Sequence, residues 1–133
     1  MPERRAPALK IIRTERAVYD HDMPREVDAD GLEAAGDVQL VDVRTSEERD
    51  AGRIGADTAH IPFEELLARA GELDRERPIV FYCRVGERSG AAADAFGASG
   101  YDAASLAGGI VAWQESGRPV EGEVGSASGL PPR

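Results

Sequence analysis

The chain has a single cysteine, Cys83. One cysteine forms no internal disulfide, so a disulfide framework is excluded. With no cysteine cluster, and with His21 and His60 lacking the spacing of a metal pair, the residues argue against a zinc site. No metal or other cofactor is expected. Lysine is almost absent, Lys10 standing alone, and arginine supplies the rest of the basic charge. Positive charge is in deficit: 16 Lys and Arg face 25 Asp and Glu, for a formal charge of -9. That balance argues against nucleic acid or an anionic membrane surface as a partner. No apolar run approaches the ~18 residues of a membrane span. The opening Met1-Pro2-Glu3-Arg4-Arg5 has no apolar core after it and makes a poor export signal. A cytoplasmic protein is the expectation. A length of 133 residues suits one domain with a real core.

Residues 1–23 are charged and proline-broken and read as an N-terminal extension, in which Leu9, Ile11 and Ile12 could form a short strand. Residues 121–133, rich in Gly, Ser and Pro, read as a flexible tail. Between them, residues 24–120 alternate strand and helix signals. Asp28 can cap a helix carrying Leu32 and Ala35 that stops at Gly36. Val38 to Val43 is a nearly continuous apolar strand of the kind covered on both faces. Thr45 or Ser46 caps a helix closed by Gly52, and Thr58 to Ile61 is a short strand. Phe63, Leu66, Leu67 and Ala70 fall at helical spacing, and Phe63, Leu66 and Leu67 are expected in the core. Pro78 to Tyr82 is a strand, Gly90 to Ser99 a helix, Asp102 to Leu106 a strand, and Ile110 to Ser116 a helix whose Trp113 is expected in the core. The alternation predicts an α/β fold with a mostly parallel central sheet and helices on both faces. Ligands of such sheets bind beyond the carboxyl ends of the strands.

Cys83 sits at one of those ends. The apolar run Ile79-Val80-Phe81-Tyr82 leads into it, and Arg84-Val85-Gly86-Glu87-Arg88-Ser89 leads out into an alanine-rich helix. A thiol at a strand–loop–helix junction faces free N–H groups and the positive end of a helix dipole, which favour an anion. Such a thiol has a lowered pKa and serves as a nucleophile. The competing reading is a buried strand cysteine that only packs. The flanking arginines and Gly86 favour the reactive one.

Three motifs together resemble a rhodanese domain. Leu40-Val41-Asp42-Val43-Arg44 with Glu47-Glu48, Gly52-Arg53-Ile54-Gly55-Ala56 and His60-Ile61-Pro62 resembles its opening half. Ile79 to Ser89 resembles its active-site strand and loop, and Leu106-Ala107-Gly108-Gly109-Ile110-Val111-Ala112-Trp113 its closing signature. The resemblance implies a rhodanese-like fold and a single-domain thiosulfate sulfurtransferase. In that chemistry the cysteine takes sulfane sulfur from thiosulfate or a similar donor, becomes a persulfide, and passes the sulfur to cyanide or a thiol. Cys83 would be catalytic. Arg84, Val85, Gly86, Glu87, Arg88 and Ser89 would bind substrate. Backbone N–H groups of this loop can wrap an anion, Gly86 permits a tightly curved backbone, and Arg84 and Arg88 can attract an anionic donor. Ser89 is expected to cap the following helix more than to act on sulfur. His60 is expected to be structural. Asp42 and Arg44 are expected to make buried polar contacts, with Glu47 or Glu48 as partner of Arg44. The chain departs from the family at Arg49, where an aromatic is usual, and at Arg53, where a histidine is usual. Both put donor preference in question.

A second reading is a carrier or binding module that delivers persulfide sulfur to a partner enzyme or other protein acceptor. A third, a dual-specificity-type phosphatase, wants an arginine six residues after the cysteine. Here that position is Ser89 and the arginine comes one place earlier, at Arg88, which argues against phosphate chemistry.

Overall fold

The computed structural model describes residues 23–124. The strand suggested by Leu9, Ile11 and Ile12 lies outside the described residues, as do the tail positions from 125 onward. Five strands form one parallel sheet in the order β1-β6-β5-β2-β4: β1 (Glu26–Val27), β2 (Gln39–Asp42), β4 (Ala59–His60), β5 (Ile79–Tyr82) and β6 (Ala103–Leu106). β5 is central and buried along its length. This is the α/β sheet that the alternation of patterns predicts.

The strand period of two sorts each strand's side chains between two cores. Ile79, Phe81 and Cys83, with Val41, Val43 and Ala103, face α3 (Glu87–Ala98), which contributes Ala92, Ala93 and Phe96. Phe96 stacks edge-on with Phe81 at 5.1 Å and with Tyr101 at 4.9 Å between ring centres. Val80, Tyr82, Leu40, Ala104 and Leu106 face the other side, against Leu32 of α1 (Ala29–Ala35) and Ile110 and Trp113 of α4 (Gly109–Glu115). The two faces thus bury separate clusters, and neither cluster would persist without the sheet between them.

The caps lie where the sequence puts them. The Asp28 carboxylate accepts from the Gly31 amide at the start of α1. Thr45 and Glu48 form a reciprocal capping box on α2 (Ser46–Ala51).

Three differences stand out. The stretch from Phe63 is not an α-helix but two 3₁₀ turns, Phe63–Glu65 and Ala70–Glu72. Leu66 reaches the core, whereas Leu67 is 82% exposed and Phe63 lies at the surface. Arg69 pins the outside of this segment to Glu65 and Glu72. Second, α3 begins at Glu87 rather than Gly90, so Glu87, Arg88 and Ser89 belong to its first turn. Third, two short strands pair antiparallel, β3 (Gly52–Arg53) with β7 (Glu121–Gly122). Glu121 and Gly122 fall in the stretch that composition assigns to the tail. The Glu123 amide donates to the Ala51 carbonyl at 2.6 Å, and so fixes the chain there. Among the described residues, no helix is long and apolar enough to cross a membrane.

Candidate active site

β5 delivers Cys83 to the carboxyl end of the sheet, where three residues, Arg84 to Gly86, turn the chain into α3. Gly86 makes the turn with φ +112°, a left-handed conformation that costs an L-residue with a Cβ about 1–2 kcal/mol. The turn brings donors onto the sulfur. The Gly86 amide donates to Sγ at 3.1 Å and the Ser89 amide at 3.4 Å, with the Ser89 hydroxyl at 3.5 Å. Cys83 is 1% exposed. Burial pushes its thiol pKa up, but the Ser89 hydroxyl and the amides of Ser89, Gly86 and Arg88 outweigh burial and hold it below the ordinary value. The sulfur is thus an anion site built mainly from backbone N–H groups.

The outer side of this loop is held by charge. Arg88 grips Glu48 of α2 through a fork, Nη1 to Oε1 at 2.9 Å and Nη2 to Oε2 at 3.0 Å. Glu48 also accepts from the Thr45 amide and hydroxyl. Arg88 first, then the Thr45 amide, hold its carboxyl down to about 2 in spite of partial burial. Glu48 therefore partners Arg88 and not Arg44, which corrects the expectation for that glutamate. Arg44 binds Asp42 instead, Nε to Oδ1 at 2.9 Å and Nη2 to Oδ2 at 2.8 Å, and donates to the Gly52 carbonyl at 2.6 Å. Arg49 bridges Asp42 and Asp57, and the Tyr82 hydroxyl donates to Asp57 at 2.6 Å. The His60 Nε2–H donates to the Arg44 carbonyl at 2.8 Å, a structural contact.

The inner side of the loop rests on α4. The Ile110 amide donates to the Cys83 carbonyl at 2.9 Å and the Val111 amide to the Arg84 carbonyl at 3.2 Å. Gly109 (φ +64°) lies so close that a Cβ there would stand 2.6 Å from the Cys83 carbonyl oxygen and closer still to that of Arg84. Gly109 thus has a physical reason: backbone must approach backbone. Gly109→Ala is expected to displace the loop and lower both stability and turnover. Left-handed strain alone accounts for about 1–2 kcal/mol, and the clash adds to it. Urea denaturation together with the rate of Cys83 alkylation checks this; a variant with unchanged alkylation would mean that the loop tolerates the shift.

Of the residues expected to form the site, Cys83, Gly86 and Ser89 converge on the sulfur. Ser89 is fully buried in the first turn of α3 and does not cap it; Gly86 is the N-cap residue. The Arg88 side chain lies on Glu48 while remaining electrostatically coupled to the sulfur. Arg84 is half-buried, and Val85 (40% exposed) and Glu87 face solvent. The expectation that Arg88 offers an open positive charge to a donor is thus qualified by Glu48, which offsets it. Sequence reading missed Glu48 in this role, Ser105 behind Ser89, and the reason for Gly109. Only Glu48 left a signal, as the fourth residue of the Thr45 capping box.

A family model described as "Rhodanese-like domain" matches residues 27–116. A protein named "Sulfurtransferase" from Allochromatium vinosum is 36% identical over 103 residues, which cover 74% of this chain and 95% of that one. The HTH-type transcriptional regulator Rv0324 of Mycobacterium tuberculosis is 41% identical over 90 residues; they cover 65% of this chain but only 39% of the regulator. Among solved structures, a rhodanese-related protein from Thermoplasma volcanium superposes with a TM-score of 0.69 at 33% identity, covering 75% of this chain and all of that one.

Proposed function

Because this chain belongs to the rhodanese-like domain family, we propose that it is a thiosulfate sulfurtransferase working through a Cys83 persulfide. Sulfur transfer of the rhodanese type is supported by the family model and by the sulfurtransferase relative. The observation that carries the finer reading is the pair of amides, Gly86 and Ser89, aimed at one buried sulfur.

The Cys83 thiolate attacks the outer sulfur of thiosulfate. A new S–S bond forms, the bond to the sulfonate sulfur breaks, and sulfite leaves with its electron pair. The persulfide retains one negative charge, which the same amides can hold. An acceptor thiolate, or cyanide, then attacks the terminal sulfur and frees the Cys83 thiolate. The chain has no second cysteine to intercept the persulfide, so the sulfur goes to an external acceptor, a small thiol or one borne by a protein. A reducing compartment such as the cytoplasm keeps Cys83 ready. With Arg88 offset by Glu48, capture of an anionic donor rests more on loop amides than on free charge.

Intact mass after thiosulfate is expected to show one added sulfur that a thiol removes. Varying donor and acceptor together is expected to give parallel double-reciprocal lines. Intersecting lines, or no added sulfur, would overturn the covalent route.

A further inference from the structure

Ser105 is not part of the loop. It lies on β6, sixteen residues after Ser89, on the same sheet face as Ala103 and Cys83. Its side chain is buried (1% exposed), and its Oγ lies 2.7 Å from the Ser89 Oγ, an ordinary O–H···O distance. The Ser89 Oγ in turn lies 3.5 Å from the Cys83 sulfur. Two hydroxyls and a sulfur therefore form a buried row that crosses from β6 to α3 to β5.

We propose that Ser105 is a positioning residue for sulfur chemistry at Cys83: it donates to the Ser89 oxygen, and thereby commits the Ser89 proton to the sulfur. The proton count gives the direction. A thiolate or persulfide has no proton to offer along this row, so it can only accept from Ser89. The Ser89 oxygen, its own proton spent, is then an acceptor for Ser105. Both contacts are filled with one proton each. With a neutral thiol the row can run the other way, S–H to Ser89 and Ser89 to Ser105, which leaves the Ser105 proton outside it. The arrangement thus favours the anion. In a dry interior each such bond also polarises the next. Ser89 alone, free to rotate its hydroxyl, would give part of this; Ser105 removes the freedom.

Among the described residues, the other charges around the sulfur are few. Its core neighbours are apolar. Arg84 follows it on the loop. From α3 come Arg88 and the exposed Glu87, and from α2 comes Glu48, bound to Arg88. Arg88 and Glu48 spend their charges on each other, whereas the Ser105 hydroxyl meets that of Ser89, so a change at Ser105 leaves that ion pair in place.

The inference takes its nucleophile from the sulfurtransferase reading, but its test does not depend on turnover. In the 133-residue chain, the rate of alkylation by uncharged iodoacetamide is measured against pH for the wild type, Ser105→Ala, Ser89→Ala and the double variant. Ser105→Ala is expected to raise the midpoint and to slow alkylation below it by about three- to tenfold, the size of one neutral hydrogen bond. On the Ser89→Ala background the same change is expected to do nothing, since the row is already cut. Ser105→Thr, which keeps the hydroxyl, is expected to stay within about twofold of wild type. Equal slowing on both backgrounds would show that Ser105 acts by packing and would overturn the proposal, as would an unmoved midpoint in Ser105→Ala. A normal relay with no thiosulfate turnover would instead count against the proposed reaction alone.

Discussion

Cys83→Ser is expected to abolish the sulfur adduct and to lower turnover by at least ~10³-fold, in line with the loss of a covalent nucleophile in other enzymes. The reason lies in the atom and not in the site around it. A serine hydroxyl would meet the same Gly86 and Ser89 amides that face Sγ at 3.1 and 3.4 Å. Its proton is held far more tightly, so the amides have no anion to stabilise near neutral pH. The fold is expected to survive, because the loop carbonyls of Cys83 and Arg84 remain tied to Ile110 and Val111. The check is intact mass after thiosulfate, initial rates, and a thermal melt on the same preparation. Turnover retained in a folded Cys83→Ser protein would remove Cys83 from the reaction.

The largest expected effect on stability is that of Asp42→Ala. Arg44 is 3% exposed and spends its guanidinium on Asp42 and the Gly52 carbonyl. Arg49 and the Tyr82 hydroxyl also reach the same carboxylate, at 3.4 and 3.2 Å. Deleting the carboxylate leaves a buried cation without its counter-charge. Breaking one side of such a pair costs about 3–5 kcal/mol, a large share of the ~5–15 kcal/mol that holds a domain folded. The urea midpoint is expected to fall accordingly. Asp42→Ala with Arg44→Met is expected to recover much of the loss, because an apolar side chain has no charge to strand. A single variant that loses less than about 1 kcal/mol would show that the Gly52 carbonyl and the neighbouring groups suffice to hold Arg44.

The elements most legible in the sequence were those whose signal is local. Asp28 and Thr45 each sit before a short helix and carry the oxygen that caps it. Ile79 to Tyr82 is apolar at every position because both faces of β5 are covered, and Gly86 marks a turn that needs a positive φ. The helical spacing of Phe63, Leu66, Leu67 and Ala70 misled for a physical reason. Leu66 is buried and Ala70 packs at the edge of the same core, but the 3₁₀ turns leave Phe63 at the surface and Leu67 in solvent. β3 and β7 are two residues each, too short to show a period. The junction that carries Cys83 between β5 and α3 was legible too. Its support was not: the contact of Ser105 with Ser89 depends on the β5–β6 register, and Glu48 reaches Arg88 only once α2 and α3 are placed together. Neither relation exists within a window of sequence.

The dependence of the Cys83 loop on α4 has a consequence for biosynthesis. A chain is made from its N-terminus at about 5–20 residues per second, so Cys83 is translated before Ser105, Gly109 and Ile110. Until β6 arrives, β5 carries an open edge, the kind of surface on which nascent chains associate wrongly. Until α4 arrives, the carbonyls of Cys83 and Arg84 lack the amides that fix the turn. In a partly made chain the turn that aims the Gly86 and Ser89 amides at Cys83 is therefore expected to be unfixed. On the proposed sulfurtransferase reading, uptake of sulfur by Cys83 is expected only once α4 has docked against the loop.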